Sequence, residues 1–136
     1  MTREEFCTAL VAVKEKANVR LAECLPIIAQ LTLKKIEKIE SVEFDFNMSD
    51  ALLYLEMCRA TMELSHYDYY WVQTLQELSD ALKLDRKDSE LTITDLARRS
   101  HVSSKIIAAF EQGRCNLKVD TFLKIADALQ LDIKIE

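Results

Sequence analysis

Within residues 103–112, Ile107 and Phe110 fall on one side of a helix. A turn of about 100° per residue then puts Lys105, Ala108, Ala109 and Gln112 on the other, with Ser104 at the leading edge. An ammonium, a primary amide and a hydroxyl beside two methyl side chains make a surface that forms hydrogen bonds without bulk. That set suits the edges of stacked bases. Lys105 can meet guanine or a phosphate, Gln112 a base edge or a phosphate oxygen, and Ser104 either. The two alanines permit close approach or touch a thymine methyl.

Little else in the chain offers reactive chemistry. With only His66 and His101 present, no histidine-centred acid–base pair, nucleophile triad, phosphate loop or metal ligand set can be assembled, so the expectation is a non-enzyme with no cofactor and no metal. Cysteines 7, 24, 58 and 115 form no close pair and read as inert thiols of a reducing compartment. Apolar runs are broken within a few residues, which predicts a soluble, cytoplasmic protein without a membrane span. The net charge of −5 opposes nucleic-acid binding in general, so the placement of the positive charges matters. Residues 1–75 hold eight basic against twelve acidic side chains and residues 76–136 hold ten against eleven, so the second half is nearly neutral and leaves room for a local basic face.

The elements that would position this surface follow from caps and breakers. One Gly and one Pro in 136 residues predict an all-α class with long helices and tight connections. A helix over about 75–84 is followed by the polar stretch 85–90. Thr92 caps a helix ending at Arg99, and Ser103 caps the next after a turn through His101. Gly113 closes that helix, and Asp120 or Thr121 starts a last one through Leu129. Two capped helices joined by so short a turn form a helix-turn-helix, which projects its second helix into a DNA major groove.

The ordered set Thr92, Leu96, Ala97, Val102, Ser103, Ile107, Phe110, Glu111, Gly113, Thr121, Phe122, Ile125, Ala126, Ala128 and Leu129 resembles the Cro and lambda-repressor-like family, also called Xre-type, over roughly 75–131. The resemblance implies a five-helix domain that binds operator DNA as a homodimer. It also implies that Ser103, Ser104, Lys105, Ala108 and Gln112 face the duplex while Arg114 and Lys118 grip its backbone. Three departures stand out, one being that the usual Pro after the recognition helix is replaced near Leu117. Ile93 replaces a frequent Gln, and His101 holds a turn position usually given to Gly, which asks a non-glycine residue to accept left-handed backbone.

Upstream, the pattern repeats. Glu40 and Glu111 occupy matching places in TLKKIEKIE (32–40) and SSKIIAAFE (103–111), 71 residues apart. The same offset pairs Ala51 with Phe122, Leu52 with Leu123, Tyr54 with Ile125, Leu55 with Ala126, Cys58 with Leu129 and Leu25 with Leu96. Core positions match while surfaces differ. Residues 3–60 therefore resemble the same unit in degenerate form. Its helices are expected over 3–17, over 21–30 with a bend at Pro26, from the Thr32 cap through Glu40, and from a Ser49 cap past Arg59. Its outward helix carries Lys34, Lys35 and Lys38, a possible second DNA face. Val42 stands in place of the closing Gly, and Glu43 and Asp45 follow.

Aromatic residues crowd 66–72, with only Asp68 charged among them. They are expected to make an interdomain or dimer contact rather than to stack on bases. Leu131, Ile133 and Ile135 alternate with polar residues and predict a short terminal strand that pairs with a second copy. The reading is an all-α protein of two tandem lambda-repressor-like five-helix units with a possible short C-terminal strand. Residues 1–62 form the degenerate unit, 63–73 an aromatic linker or helix extension, and 74–136 the Xre-type DNA-binding domain. The expected function is a sequence-specific double-stranded DNA-binding transcriptional regulator, repressor-like or an antitoxin with a toxin partner. The alternative is a protein-interaction module on the same scaffold that has lost DNA binding.

Overall fold

The structure is a computed structural model that describes residues 1–18 and 30–136. The bend at Pro26, the Leu25–Leu96 correspondence and all but the last residue of the helix expected over 21–30 lie outside the described residues. Helix α1 (Arg3–Ala17) starts from a reciprocal cap. Thr2 Oγ1 accepts from the Glu5 amide, the Glu5 carboxylate accepts from the Thr2 amide, and Phe6, Cys7 and Leu10 are buried below. Helix α2 (Leu33–Ser41) is capped by Thr32 and stops at Val42. Helix α3 (Met48–Met57) follows from Asn47, two residues earlier than the expected Ser49 cap.

Past Met57 the chain departs from expectation. Arg59 takes left-handed backbone at φ 53°, and strands β1 (Met62–Ser65) and β2 (Tyr69–Val72) form a hairpin where a helix extension or linker was expected. The physical reason is a period of two. Met62 and Leu64 in β1, and Tyr70 and Val72 in β2, turn toward the core, whereas Tyr69 and Trp71 are exposed. Read as a cluster rather than as an alternation, the aromatics conceal the strand.

Helix α4 (Leu75–Asp88) runs on through the polar stretch 85–88, because Asp85 is buried against His66 rather than solvated. Helices α5 (Ile93–Ser100), α6 (Ser104–Glu111) and α7 (Val119–Leu129) follow, and then strand β3 (Asp132–Ile135). The molecule is thus mostly helical with a small sheet of order β2-β1-β3. β3 does not need a second chain, since it pairs antiparallel with β1 of its own, Met62 opposite Ile135 and Leu64 opposite Ile133. A single apolar core runs from Phe6 and Leu10 through Tyr54, Met62 and Leu64 to Phe110 and Phe122. The Phe6 and Phe122 rings meet edge to face at 6.3 Å.

Several backbone features recur at the 71-residue offset. Val42 and Gly113 are both left-handed (φ 66° and 72°), as are Arg59 and Gln130 (53° and 62°). The Ala60 amide donates to the Leu55 carbonyl at 2.9 Å, and the Leu131 amide to the Ala126 carbonyl at 2.9 Å. Across the middle of the molecule, the Met48 amide donates to the Leu117 carbonyl at 2.7 Å and the Val119 amide to the Phe46 carbonyl at 2.8 Å.

Candidate nucleic-acid interface

The helix-turn-helix is built from local rules. Thr92 and Asp95 form a second reciprocal cap at the start of α5. At its end Ser100, buried, donates from Oγ to the Leu96 carbonyl at 2.7 Å and accepts from the Val102 amide at 3.3 Å, so one hydroxyl closes the helix and starts the turn. His101 takes the left-handed conformation, φ 59°, that the sequence required of it. Ser103 then caps α6, its Oγ accepting from the Lys105 amide at 3.2 Å. That bond occupies an oxygen lone pair and leaves the hydroxyl proton free to donate outward.

The inner side of α6 is fixed to its surroundings by named bonds. Ile107 and Phe110 are buried with Leu96 and Val102. Ser79 of α4 donates to the Phe110 carbonyl at 2.7 Å. Arg86 Nε lies 2.8 Å from Glu111 Oε1, both side chains nearly buried, while Arg86 Nη1 donates to the Leu91 carbonyl at 2.8 Å. The paired charges are largely desolvated and joined by this one hydrogen bond, Glu111 Oε2 being buried without a partner, and the pair ties the end of α6 to α4.

The outer side carries the residues that the sequence pointed to. Ser103, Ser104, Lys105, Gln112, Arg114 and Lys118 are exposed and Ala108 and Ala109 are half-buried. Among the described residues, none of Lys105, Arg114 and Lys118 is held in an ion pair. Gly113 turns the chain after the helix at φ 72°. Three further exposed residues escaped the sequence reading. Ile106 is 43 % exposed between Lys105 and the buried Ile107, and a third apolar residue in a row of two core positions was the signal. Arg98 and Arg99 are exposed in the last turn of α5, and their adjacency in the first helix of the motif could have marked them.

In the amino-terminal half, Lys34, Lys35 and Lys38 are exposed along α2, but two are engaged. Lys35 Nζ lies 3.3 Å from Asp50 Oδ1, and the Lys38 ammonium sits 5.9 Å from the centroid of the exposed Phe44 ring. Glu40, at the end of α2, accepts from Tyr54 Oη at 2.9 Å and pairs with Lys14 of α1, much as Glu111 pairs with Arg86 of α4. Burial and the Glu40 carboxylate push the Tyr54 phenol far above its ordinary value, so it stays a donor.

Tyr69 and Trp71 of β2 and Tyr67 of the turn before it are each more than 60 % exposed, and the His66 ring lies 4.1 Å from that of Tyr67 at a tilt of 42°. No helix among the described residues is long and apolar enough to cross a membrane. Comparison with curated proteins and with solved structures finds no match. Residues 77–134, from the first turn of α4 into β3, match the family model of a helix-turn-helix domain.

Proposed function

We propose that this protein is a sequence-specific double-stranded DNA-binding transcriptional regulator of the Xre type. In this reading α6 enters the major groove. Ser104, Lys105, Ala108 and Gln112 face the bases, and Ser103, Arg114 and Lys118 hold phosphates on either side. The observation that carries it is the contrast between the two sides of α6. Its inner side is fixed by Ser79, Arg86 and the core, while its outer side holds cations and hydrogen-bonding groups with no ion-pair partner among the described residues. A rigid rod with an uncommitted polar face is what base reading needs.

The amino-terminal half, residues 1–62, is in this reading a degenerate second copy, and 63–73 the hairpin segment between the units. The shared left-handed residues and hydrogen bonds at the 71-residue offset support it. Lys34, Lys35 and Lys38 then form a second, weaker DNA face. Selection of bound fragments from random duplex DNA at two salt concentrations tests the function. An enriched motif whose affinity falls with salt is expected, and no enrichment even in dilute buffer would sink it.

A further inference from the structure

Residues paired with their own counterparts 71 positions away lie on the axis of any two-fold exchange between the halves. Among the described residues there are two such pairs. Asn47 faces Lys118 in an antiparallel bridge, and Glu63 faces Lys134 in the β1–β3 ladder. The bonds around both pairs obey the same exchange. Met48 to Leu117 becomes Val119 to Phe46, Ser49 to Asn116 Oδ1 becomes Asp120 to Asp45 Oδ1, and Met62 opposite Ile135 becomes Ile133 opposite Leu64. Two points define a line, so a pseudo-two-fold axis passes through Asn47/Lys118 and Glu63/Lys134, with α3 and α7 leading from the first pair toward the second. The relation has the form of an isologous dimer interface, closed inside one polypeptide.

A two-fold exchange preserves height along its axis. Lys34 and Lys105 are 71 apart, as are helices α2 and α6, so both helices present their outer faces toward the same end of the molecule. The loops that follow them, 42–47 and 113–118, converge on the axis at Asn47 and Lys118. The faces are not equivalent in chemistry. Where α6 and its loop have Ala108, Gln112 and Arg114, α2 and its loop have Glu37, Ser41 and Glu43. A carboxylate in the middle of the face and another at the backbone-gripping position oppose deep insertion beside phosphates. Lys34 remains exposed and without an ion-pair partner among the described residues.

We infer that the chain is a two-fold dimer in one polypeptide that engages one duplex as a single copy. Base information is confined to the half-site under α6, and α2 adds only lysine–phosphate contacts over the neighbouring groove. This rests on the DNA-binding reading above and replaces the second chain that the resemblance implied. Its target is a lopsided site, informative on one side and sequence-tolerant on the other.

The test combines sedimentation equilibrium of the full chain with titration of a labelled selected duplex by wild type and by the Lys34→Ala/Lys38→Ala variant, whose fold is checked by circular dichroism. A monomeric chain and one chain per duplex are expected, with a motif confined to one side. The variant should keep that motif and lose affinity several-fold, with a salt slope reduced by up to about 2, at roughly 0.9 per lost phosphate contact. On a duplex truncated on the uninformative side, variant and wild type should bind alike. Two chains per duplex on a palindromic motif, or an equal loss on the truncated duplex, would overturn the inference and leave the regulator reading standing. A monomeric chain that binds no duplex would overturn both.

Discussion

Asp45 and Asn116 cap each other's helices across the middle of the molecule. Asp45 Oδ1 accepts from the Asp120 amide at the start of α7 at 3.2 Å, and Asn116 Oδ1 accepts from the Ser49 amide at the start of α3 at 3.4 Å. Each also accepts from the next amide of its own chain segment, Phe46 and Leu117, at 2.9 Å. Helix amino termini carry partial positive charge and unpaired amides, so a carboxylate or amide oxygen there is stabilising. Asp45 is thereby occupied with α7 rather than turned freely toward a ligand. Asn116→Ala removes one of these caps and is expected to lower stability by about 1 kcal/mol. Urea unfolding of the full chain measures it, and an unchanged midpoint would deny the cap a structural role.

Lys105 and Lys118 should fail in different ways. Lys105→Ala is expected to reduce discrimination between selected and random duplex. Lys118→Ala should weaken both by the same factor and lower the salt slope by roughly one unit. Fluorescence anisotropy at several salt concentrations separates the two, and equal losses on both duplexes for both variants would count against the assigned roles.

Val42 holds left-handed backbone that a β-branched residue adopts with strain, whereas its counterpart Gly113 holds the same conformation freely. Val42→Gly should raise stability by about 1 kcal/mol, and Gly113→Ala should lower it by about the same amount. The Gly113 site has room, since an added Cβ would meet only Gln76 Oε1 at 3.5 Å, so the predicted loss comes from the backbone alone. A destabilised Val42→Gly protein would show that the valine methyls outweigh the strain.

Asp85 is fully buried, and burial pushes its carboxyl above the ordinary value of 3.8, with the His66 ring at 3.2 Å opposing the shift. A carboxyl whose folded value exceeds its unfolded one contributes stability below the unfolded value, and loses it as pH rises through the folded one. Asp85→Asn has no such proton to release. Its stability relative to wild type should therefore improve from pH 3.8 upward through the raised value and then level off. Unfolding midpoints across that window check the sign, and a difference that moved the other way would contradict it.

Much of the scaffold was legible because it follows local rules. Thr32, Thr92 and Ser103 cap helices where their side chains predicted, and the all-α class follows from a chain nearly free of Gly and Pro. The hairpin was hidden because Tyr67, Tyr69, Tyr70 and Trp71 look alike as a composition and differ only in burial, which emerges once β2 pairs with β1 and β1 in turn with the distant β3. Ser49 looks like a cap because hydroxyls favour that role. Its amide instead meets Asn116, a non-local bond that no short window contains. For the same reason Asp85 read as solvated, although its partner His66 lies 19 residues earlier. The outward residues of α6 were accessible from periodicity alone, whereas the ion pair that orients them, Arg86 to Glu111, was not.

The central claim is that the outer face of α6 reads base sequence, and competition measures this most directly. Wild-type protein bound to a labelled selected duplex at about 0.15 M salt is challenged with unlabelled selected and unlabelled random duplex. Random duplex is expected to compete only at roughly 10³-fold or greater excess, and Lys105→Ala to narrow this ratio. Equal competition by the two duplexes, unchanged in the variant, would contradict it.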